Sequence, residues 1–325
     1  MTIKNFIIFI CFNTVKFLLF PVFGYFKLFD FAVLVYPGTD KDISTYMPSN
    51  FLIKFAPIIS IIGFIRNNKD KKNGIIFATK YYIKDIEKEN KEKIIKIIKK
   101  YANILKVKKV ALVGRLPKIL FETDKSLFVE GKTGTVFTVI GAVKKTIQDL
   151  NLNSNKITIG VIGVGFIGKE VLENLKNMGF MSIIGFDIRI KKDILSNNII
   201  ETNNPEFLKK CDLLIILTAN GDDINDLVIN FKNKAIILDD THPSISKNII
   251  RKINIEKNGS VYKVAAAMKN TKIYPEIPGF KSEWIPGCIV ETIVSSYTQD
   301  KWHNQDEFNN IAEKFGFYAI SKKII

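Results

Sequence analysis

The sequence predicts an α/β protein: a parallel sheet covered by helices on both faces, a second α/β lobe before it, and an apolar arm at the N-terminus. Three observations carry this prediction. Residues 156–180, KITIGVIGVGFIGKEVLENLKNMGF, run as a buried strand, a glycine turn and an amphipathic helix. Apolar runs then recur at MSIIGFDIR (181–189), CDLLIILTANG (211–221) and KAIILDDTHP (234–243), ending in polar residues as buried parallel strands do. A separate set of strand-like and helix-like segments precedes residue 140, and 325 residues leave room for about two domains.

Residues 6–26, FIIFICFNTVKFLLFPVFGYF, are apolar over about the length of a bilayer span, but Lys16 sits in the middle and Pro21 near the end. No small-x-small cleavage site follows, so a signal peptide is not expected. Residues 1–29 therefore read as an apolar arm. It forms a poor transmembrane helix, or lies in a membrane interface with Lys4, Lys16 and Lys27 reaching the headgroups, or packs on the fold or on a second subunit. A second run, FLIKFAPIISIIGFI (51–65), is too short to span; it would line an apolar cleft or extend a membrane-facing surface.

The lobe expected at 30–139 opens with the strand FAVLVYP (31–37). Isoleucine pairs alternate with lysine and glutamate over 83–105, which predicts an amphipathic helix with a solvated charged face. A strand at 107–114, a loop through GRLPK, a short strand at 127–131 and the stretch KTGTVFT (132–138) follow. Residues 139–150 read as a helix leading into the nucleotide domain, set at 140–284. Residues 285–325 are expected to return as helices that close the active site.

In the nucleotide domain Gly163, Gly165 and Gly168 fit GxGxxG, the turn that opens a Rossmann-type sheet. One glycine makes the tight turn, one admits the pyrophosphate, and one lets the helix pack on the strand; Phe166 and Ile167 complete the loop. The helix start offers backbone N–H groups and partial positive charge to phosphates. Asp187, 19 residues after Gly168, is placed to accept the adenosine ribose hydroxyls, which favours NAD(H) over NADP(H). Arg189 keeps the phosphorylated cofactor open. Thr218 and Asp239, at the ends of the next two strands, are expected to face the ligand.

Composition narrows the partners. Lys and Arg number 48 against 32 Asp and Glu, a formal charge of +16, yet only Arg66, Arg115, Arg189 and Arg251 are arginine. Base and phosphate recognition leans on arginine forks, so the charge reads as a lysine-rich solvated surface with no nucleic-acid partner. That surface suits an acidic carrier protein or an anionic membrane. Cys11, Cys211 and Cys288 form neither a disulfide framework nor a metal spacing. No metal site is expected; a reducing cytoplasmic setting is, with residues 6–26 as one route to attachment at the inner membrane face.

Two chemistries compete for the catalytic role. A hydroxy-acid dehydrogenase usually offers a histidine, and the chain has two: His242, in the turn-like DDTHPS after a strand, and His303 in the charged KWHNQDEF. Cys288, after Pro286-Gly287 at the start of the helix-like IVETIVSSY, is either a small buried hydrophobe or a nucleophile beside a helix N-terminus.

The chain from about Phe31 onward resembles the acyl-acyl-carrier-protein reductases that make fatty aldehydes, and their relatives labelled as amino-acid dehydrogenases. FAVLVYP resembles that family's opening strand, and KTGTVFT its TTGN-x-x-T segment, with Thr135 in place of the asparagine. GVGFIG fills the place of the nucleotide loop, and LDDTHP is similar to a D-x-x-x-P strand end. GCIVE (287–291) resembles its A-C-x-x-E, whose cysteine carries the acyl thioester.

The resemblance implies that Cys288 is the nucleophile, that Glu291 supports it, and that Thr133, Gly134 and Thr138 shape the contacts near the reacting carbon. The reaction implied is reduction of a long-chain acyl thioester, on acyl carrier protein or CoA, to an aldehyde with NADH or NADPH. Two alternatives stay open. The order TG-x-x-x-T then GxGxxG also resembles shikimate dehydrogenases, pointing to a dehydrogenase of a small amino or hydroxy acid; the other is a nucleotide-binding redox sensor without turnover.

Overall fold

The computed structural model describes residues 13, 18–37, 56–67, 73–277, 279–298 and 300–324. The chain divides into two compact units, Met1–Gly134 with Ala267–Phe317, and Thr135–Ala266 with Tyr318–Ile325. The sequence reading placed residues 267–284 in the nucleotide domain. They fall instead in the first unit, because residues 271–274 form a strand of its sheet.

That sheet has six strands: β1 (Phe31–Val35), β2 (Ile59–Asn67), β3 (Gly74–Thr79), β4 (Lys109–Leu112), β5 (Phe128–Val129) and β13 (Thr271–Tyr274), in the order β13-β2-β3-β1-β4-β5. β1 runs parallel to β3 and β4, and β4 parallel to β5, whereas β2 is antiparallel to both β3 and β13. The described part of the apolar run 51–65 lies mostly in β2, where Ile59, Ile61, Ile62 and Ile65 are buried. It is therefore a core strand.

Helix α1 (Lys91–Leu105) covers this sheet with Ile94, Ile98, Tyr101, Ala102 and Leu105, the spacing that predicted it, and stops at Lys106 in the left-handed region. The predicted helix start at residue 83 is a single α-turn followed by a π-turn, Ile86–Asn90. GRLPK, expected as a loop, enters a short helix α2 (Leu116–Leu120). Pro117 sits in its first turn, where a missing N–H costs no hydrogen bond.

Of the expected arm, residues 1–12 and 14–17 lie outside the described residues. Residues 18–25 are helical. Phe20 is buried with its ring edge-on to Tyr101 at 5.0 Å, while Leu18, Val22, Tyr25 and Phe26 are exposed. Among the described residues no helix is long and apolar enough to cross a membrane.

The second unit is built on an eight-stranded sheet. Its strands are β6 (Ile159–Ile162), β7 (Ile183–Phe186), β8 (Ile194–Ser196), β9 (Ile199–Thr202), β10 (Leu213–Ile216), β11 (Ile236–Asp239), β12 (Ser260–Met268) and β14 (Phe317–Lys323). They lie in the order β14-β12-β11-β10-β6-β7-β9-β8. From β9 to β12 every neighbouring pair is parallel. Helices α3 (Lys132–Asp149) and α4 (Phe166–Asn177) bring Val136, Val139, Val143, Val171 and Leu175 to one face. Helix α5 (Lys247–Lys257) brings Ile249, Ile250 and Ile253 to the other.

This is the doubly wound Rossmann-type sheet expected from the sequence, and the preceding lobe is α/β as well. Chain order reverses between β6 and β10, and in such sheets a ligand lies at that reversal, outside the carboxyl ends of the strands.

Candidate functional site

The glycine turn after β6 is shaped by steric need at two of its three glycines. Gly163 has φ +101°, donates its N–H to the Phe186 carbonyl at 2.8 Å, and would carry a Cβ only 2.8 Å from the Leu217 carbonyl oxygen. A Cβ on Gly168 would stand 2.1 Å from the Gly163 oxygen, so the helix can sit this close to the turn only with glycine there. Gly165 differs. The nearest atom to its Cβ position is Arg189 Nη2 at 3.5 Å, and as N-cap of α4 it offers no side chain to the first amides of that helix.

Those amides and the open approach at Gly165 make a cradle for an anion. The residues present fit the pyrophosphate of a dinucleotide.

Asp187 follows β7 directly and is buried. It accepts from Arg189 Nε at 2.8 Å, Arg189 Nη2 at 2.6 Å and the Arg189 backbone N at 2.9 Å. Arg189 holds the Asp187 carboxyl below the usual carboxylate range, against the opposing pull of burial. The arginine side chain is 72% exposed, and an ion pair this open contributes at most about 1 kcal/mol. The carboxylate can exchange its guanidinium for ribose hydroxyls at little cost.

Thr218 is half-buried beyond β10 and donates its hydroxyl to the Asn220 carbonyl at 2.8 Å. Ile167 is half-buried and packs toward the core, whereas Phe166 is exposed. Asp239 is fully buried. Its carboxylate accepts from Thr241 N (2.9 Å), Thr241 Oγ1 (2.5 Å), Ile245 N (3.2 Å) and Lys263 Nζ (3.4 Å), and so staples the loop after β11.

In the first unit the structure brings together Cys288, Glu291 and Thr133. Helix α6 (Gly287–Thr298) presses on the segment that enters α3: a Cβ on Gly131 would meet Cys288 Cβ at 2.5 Å, and one on Gly134 would meet the Gly287 oxygen at 2.2 Å. The buried Glu291 carboxylate accepts from Gly134 N at 2.8 Å and Gly131 N at 3.3 Å, and also from Thr133 N. It thereby caps α3, which starts at Lys132, seven residues before the helix start expected at 139. Burial outweighs these amide donors and pushes the Glu291 carboxyl up to about 7.

The Thr133 carbonyl accepts from Gln305 Nε2 at 3.1 Å, in the first turn of helix α7 (Gln305–Lys314). Thr138 is fully buried within α3, and Cys288 is half-buried and outside any disulfide. His242 and His303 are both exposed.

Two residues of the second unit lay outside the sequence reading of the site. Lys263, in β12, is 0% exposed, and Asp240, half-buried, follows the last residue of β11. Their signals were present: a lysine inside the apolar run SVYKVAAAM, and paired aspartates at a strand end.

Fold and loop together define a class, a Rossmann-type NAD(P)-binding protein. Residues 140–233 match the family described as D-isomer specific 2-hydroxyacid dehydrogenase, NAD binding domain. Among curated proteins no relative matches this chain.

Similar solved structures include a D-isomer specific 2-hydroxyacid dehydrogenase from Xanthobacter autotrophicus Py2, at 14% identity and TM-score 0.34 over 50% of this chain and 63% of that one. A second structure of the Xanthobacter enzyme, with NADPH, is covered over 65% of its length, so the chain spans slightly under two thirds of both. The NAD+-bound 3-phosphoglycerate dehydrogenase of Entamoeba histolytica aligns at 16% identity and TM-score 0.38 over 88% and 94% of the two chains. The NAD-complexed D-isomer specific 2-hydroxyacid dehydrogenase of Lactobacillus delbrueckii ssp. bulgaricus aligns at 15% and 0.32 over 87% and 95%.

The family match corrects the expectation of acyl-thioester reduction to a fatty aldehyde, and with it the assignment to lipid metabolism. The segment GCIVE that suggested it has a structural account. Cys288 packs against Gly131, and Glu291 caps a helix.

Proposed function

We propose that the chain is an NAD-dependent dehydrogenase that interconverts a small 2-hydroxy acid and its 2-oxo acid. The observation that carries this reading is the match of residues 140–233 to the NAD-binding domain of that dehydrogenase family. Gly163, Gly165, Gly168 and the first amides of α4 would hold the pyrophosphate, and Asp187 the adenosine ribose. When bound, the cofactor supplies a hydride acceptor or donor.

The buried Asp187 carboxylate supports a preference for NAD(H), since a 2′-phosphate would meet its negative charge. Arg189 is the one cation seen on that carboxylate among the described residues, and it would have to turn outward to take a 2′-phosphate. An excess of 16 positive charges favours the approach of carboxylate substrates.

The test is appearance of NADH absorbance when the purified protein meets NAD+ and a panel of D- and L-2-hydroxy acids, with 2-amino acids in parallel. Turnover of a hydroxy acid supports the reading. Turnover of amino acids alone would move the assignment to an amino-acid dehydrogenase, and turnover of neither would remove it.

A further inference from the structure

A dehydrogenase of a hydroxy acid needs a group that takes the hydroxyl proton, and both histidines of this chain have exposed side chains. A different set of titratable groups stands at the carboxyl edge of the sheet. Lys263 Nζ is fully buried and donates to the Thr241 carbonyl at 2.6 Å and to Asp239 Oδ2 at 3.4 Å. Asp239, opposite Lys263 in the β11–β12 register, spends its carboxylate on the loop and on that ammonium. Asp240 follows it, tied to β10 by its backbone N–H, which reaches the Ile216 carbonyl at 3.3 Å. Among the described residues no hydrogen bond reaches its carboxylate.

The sheet order says which part of the cofactor this edge serves. The glycine turn and Asp187 lie at β6 and β7, the adenosine side of the reversal, so a bound cofactor would direct its nicotinamide half toward β10 and β11. We propose that Asp240 is the proton-transfer group on the nicotinamide side of this site, positioned by the buried Lys263–Asp239 pair. The inference rests on the dehydrogenase reading above.

In the oxidative direction the Asp240 carboxylate accepts the hydroxyl proton of the substrate as its C–H bond yields a hydride to oxidised NAD and the C–O bond becomes C=O. In the reverse direction the protonated carboxyl returns that proton to the carbonyl oxygen. The charged groups facing Asp240 are Lys263 from β12 and Asp239 from its own strand, with exposed His242 in the loop beyond; the end of β10 offers Leu217 and Thr218, both uncharged. Burial pushes the Asp240 carboxyl up to about 7, Asp239 adds to that and Lys263 opposes it, so both protonation states are populated near neutrality.

The first readout needs no substrate. A cationic nicotinamide beside a half-protonated carboxyl lowers its pKa, so adding NAD+ to the full-length protein near pH 7 in weak buffer should release up to about half a proton per chain, read with an indicator dye. NADH, whose ring is neutral, should release far less. Asp240→Asn should lose the release and bind NAD+ more weakly while NADH affinity changes little, because the charge coupling that expels the proton also holds the cationic ring, and Lys263→Met should move the release midpoint to higher pH. Equal release from wild type and Asp240→Asn would overturn the proposal.

The second readout is turnover. With any hydroxy acid the wild type oxidises, kcat of Asp240→Asn should fall by about 100-fold or more, and unchanged kcat would also overturn the proposal. Asp240-dependent proton release without oxidation of any hydroxy acid would uphold the placement of Asp240 and strike only the substrate reading.

Discussion

Two helix starts in this protein have similar entries and opposite uses. Both α3 and α4 begin beside glycines so tightly packed that a Cβ would meet backbone or neighbouring side chain, at Gly131 and Gly134 in one and at Gly163 and Gly168 in the other. At α3 the chain supplies its own anion: Glu291 accepts from the amides of Gly131, Thr133 and Gly134. At α4, among the described residues, no side chain caps the helix and the space over Gly165 is bordered only by an exposed arginine tip. A glycine-rich helix start is a ligand site only where its donors are left unspent.

The sharpest way to break this comparison is to add one methyl at each start. Gly168→Ala forces its Cβ against the Gly163 oxygen, so NADH affinity measured by fluorescence titration should fall by about 100-fold or more, about 2.7 kcal/mol or more. Gly134→Ala, pressed on the Gly287 oxygen, should lower the melting temperature of the first unit instead. A loss of NADH affinity with Gly134→Ala as large as with Gly168→Ala would erase the contrast.

Removing the internal anion comes next. Glu291→Ala leaves three amide donors without their acceptor in a buried place and should cost about 2–4 kcal/mol in denaturant unfolding.

The pH dependence has a definite sign. The folded carboxyl, at about 7, lies above its unfolded value of 4.5, so the native state holds a proton that the unfolded chain has already lost. Glu291 should therefore lower stability as pH rises from about 4.5 to about 7, by about 3 kcal/mol in all, and add no further slope above that. Glu291→Gln should flatten that part of the profile. An identical slope in wild type and Glu291→Gln would place the titration elsewhere.

Smaller effects are expected on the open side. Asp187→Ser should weaken NADH by about 10-fold, the scale of one lost charge-assisted hydrogen-bond pair, and narrow its advantage over NADPH. Arg189→Ala should change NADH affinity by no more than about fivefold, because the pair it breaks is exposed. If NADPH bound far better than NADH to the wild type, with Arg189→Ala reversing the order, Arg189 would be the residue that reads the cofactor.

Much of this was legible in the sequence because it is local. The strand, glycine turn, helix and Asp187 are set by nearest-neighbour sterics and by strand and helix periodicity, and the structure has them where the residues predict. The amphipathic stretch that became α1 was legible for the same reason. KTGTVFT was not: β-branched residues and a glycine argue against helix, and α3 begins there because a glutamate more than 150 positions away caps it. GCIVE was misleading in the same way, since a short cysteine-to-glutamate spacing does not say whether the carboxylate faces substrate or backbone.

The sequence alone determined the α/β class, the glycine loop and the acidic residue that follows it, since these depend on contacts within a few dozen residues. Only the tertiary structure decided that strand 271–274 joins the first unit's sheet, that Glu291 is spent on a helix start, and that Lys263 lies buried against Asp239, one residue from Asp240. Each depends on which distant segments share a sheet or a dry interior, where burial sets what a charge can pair with.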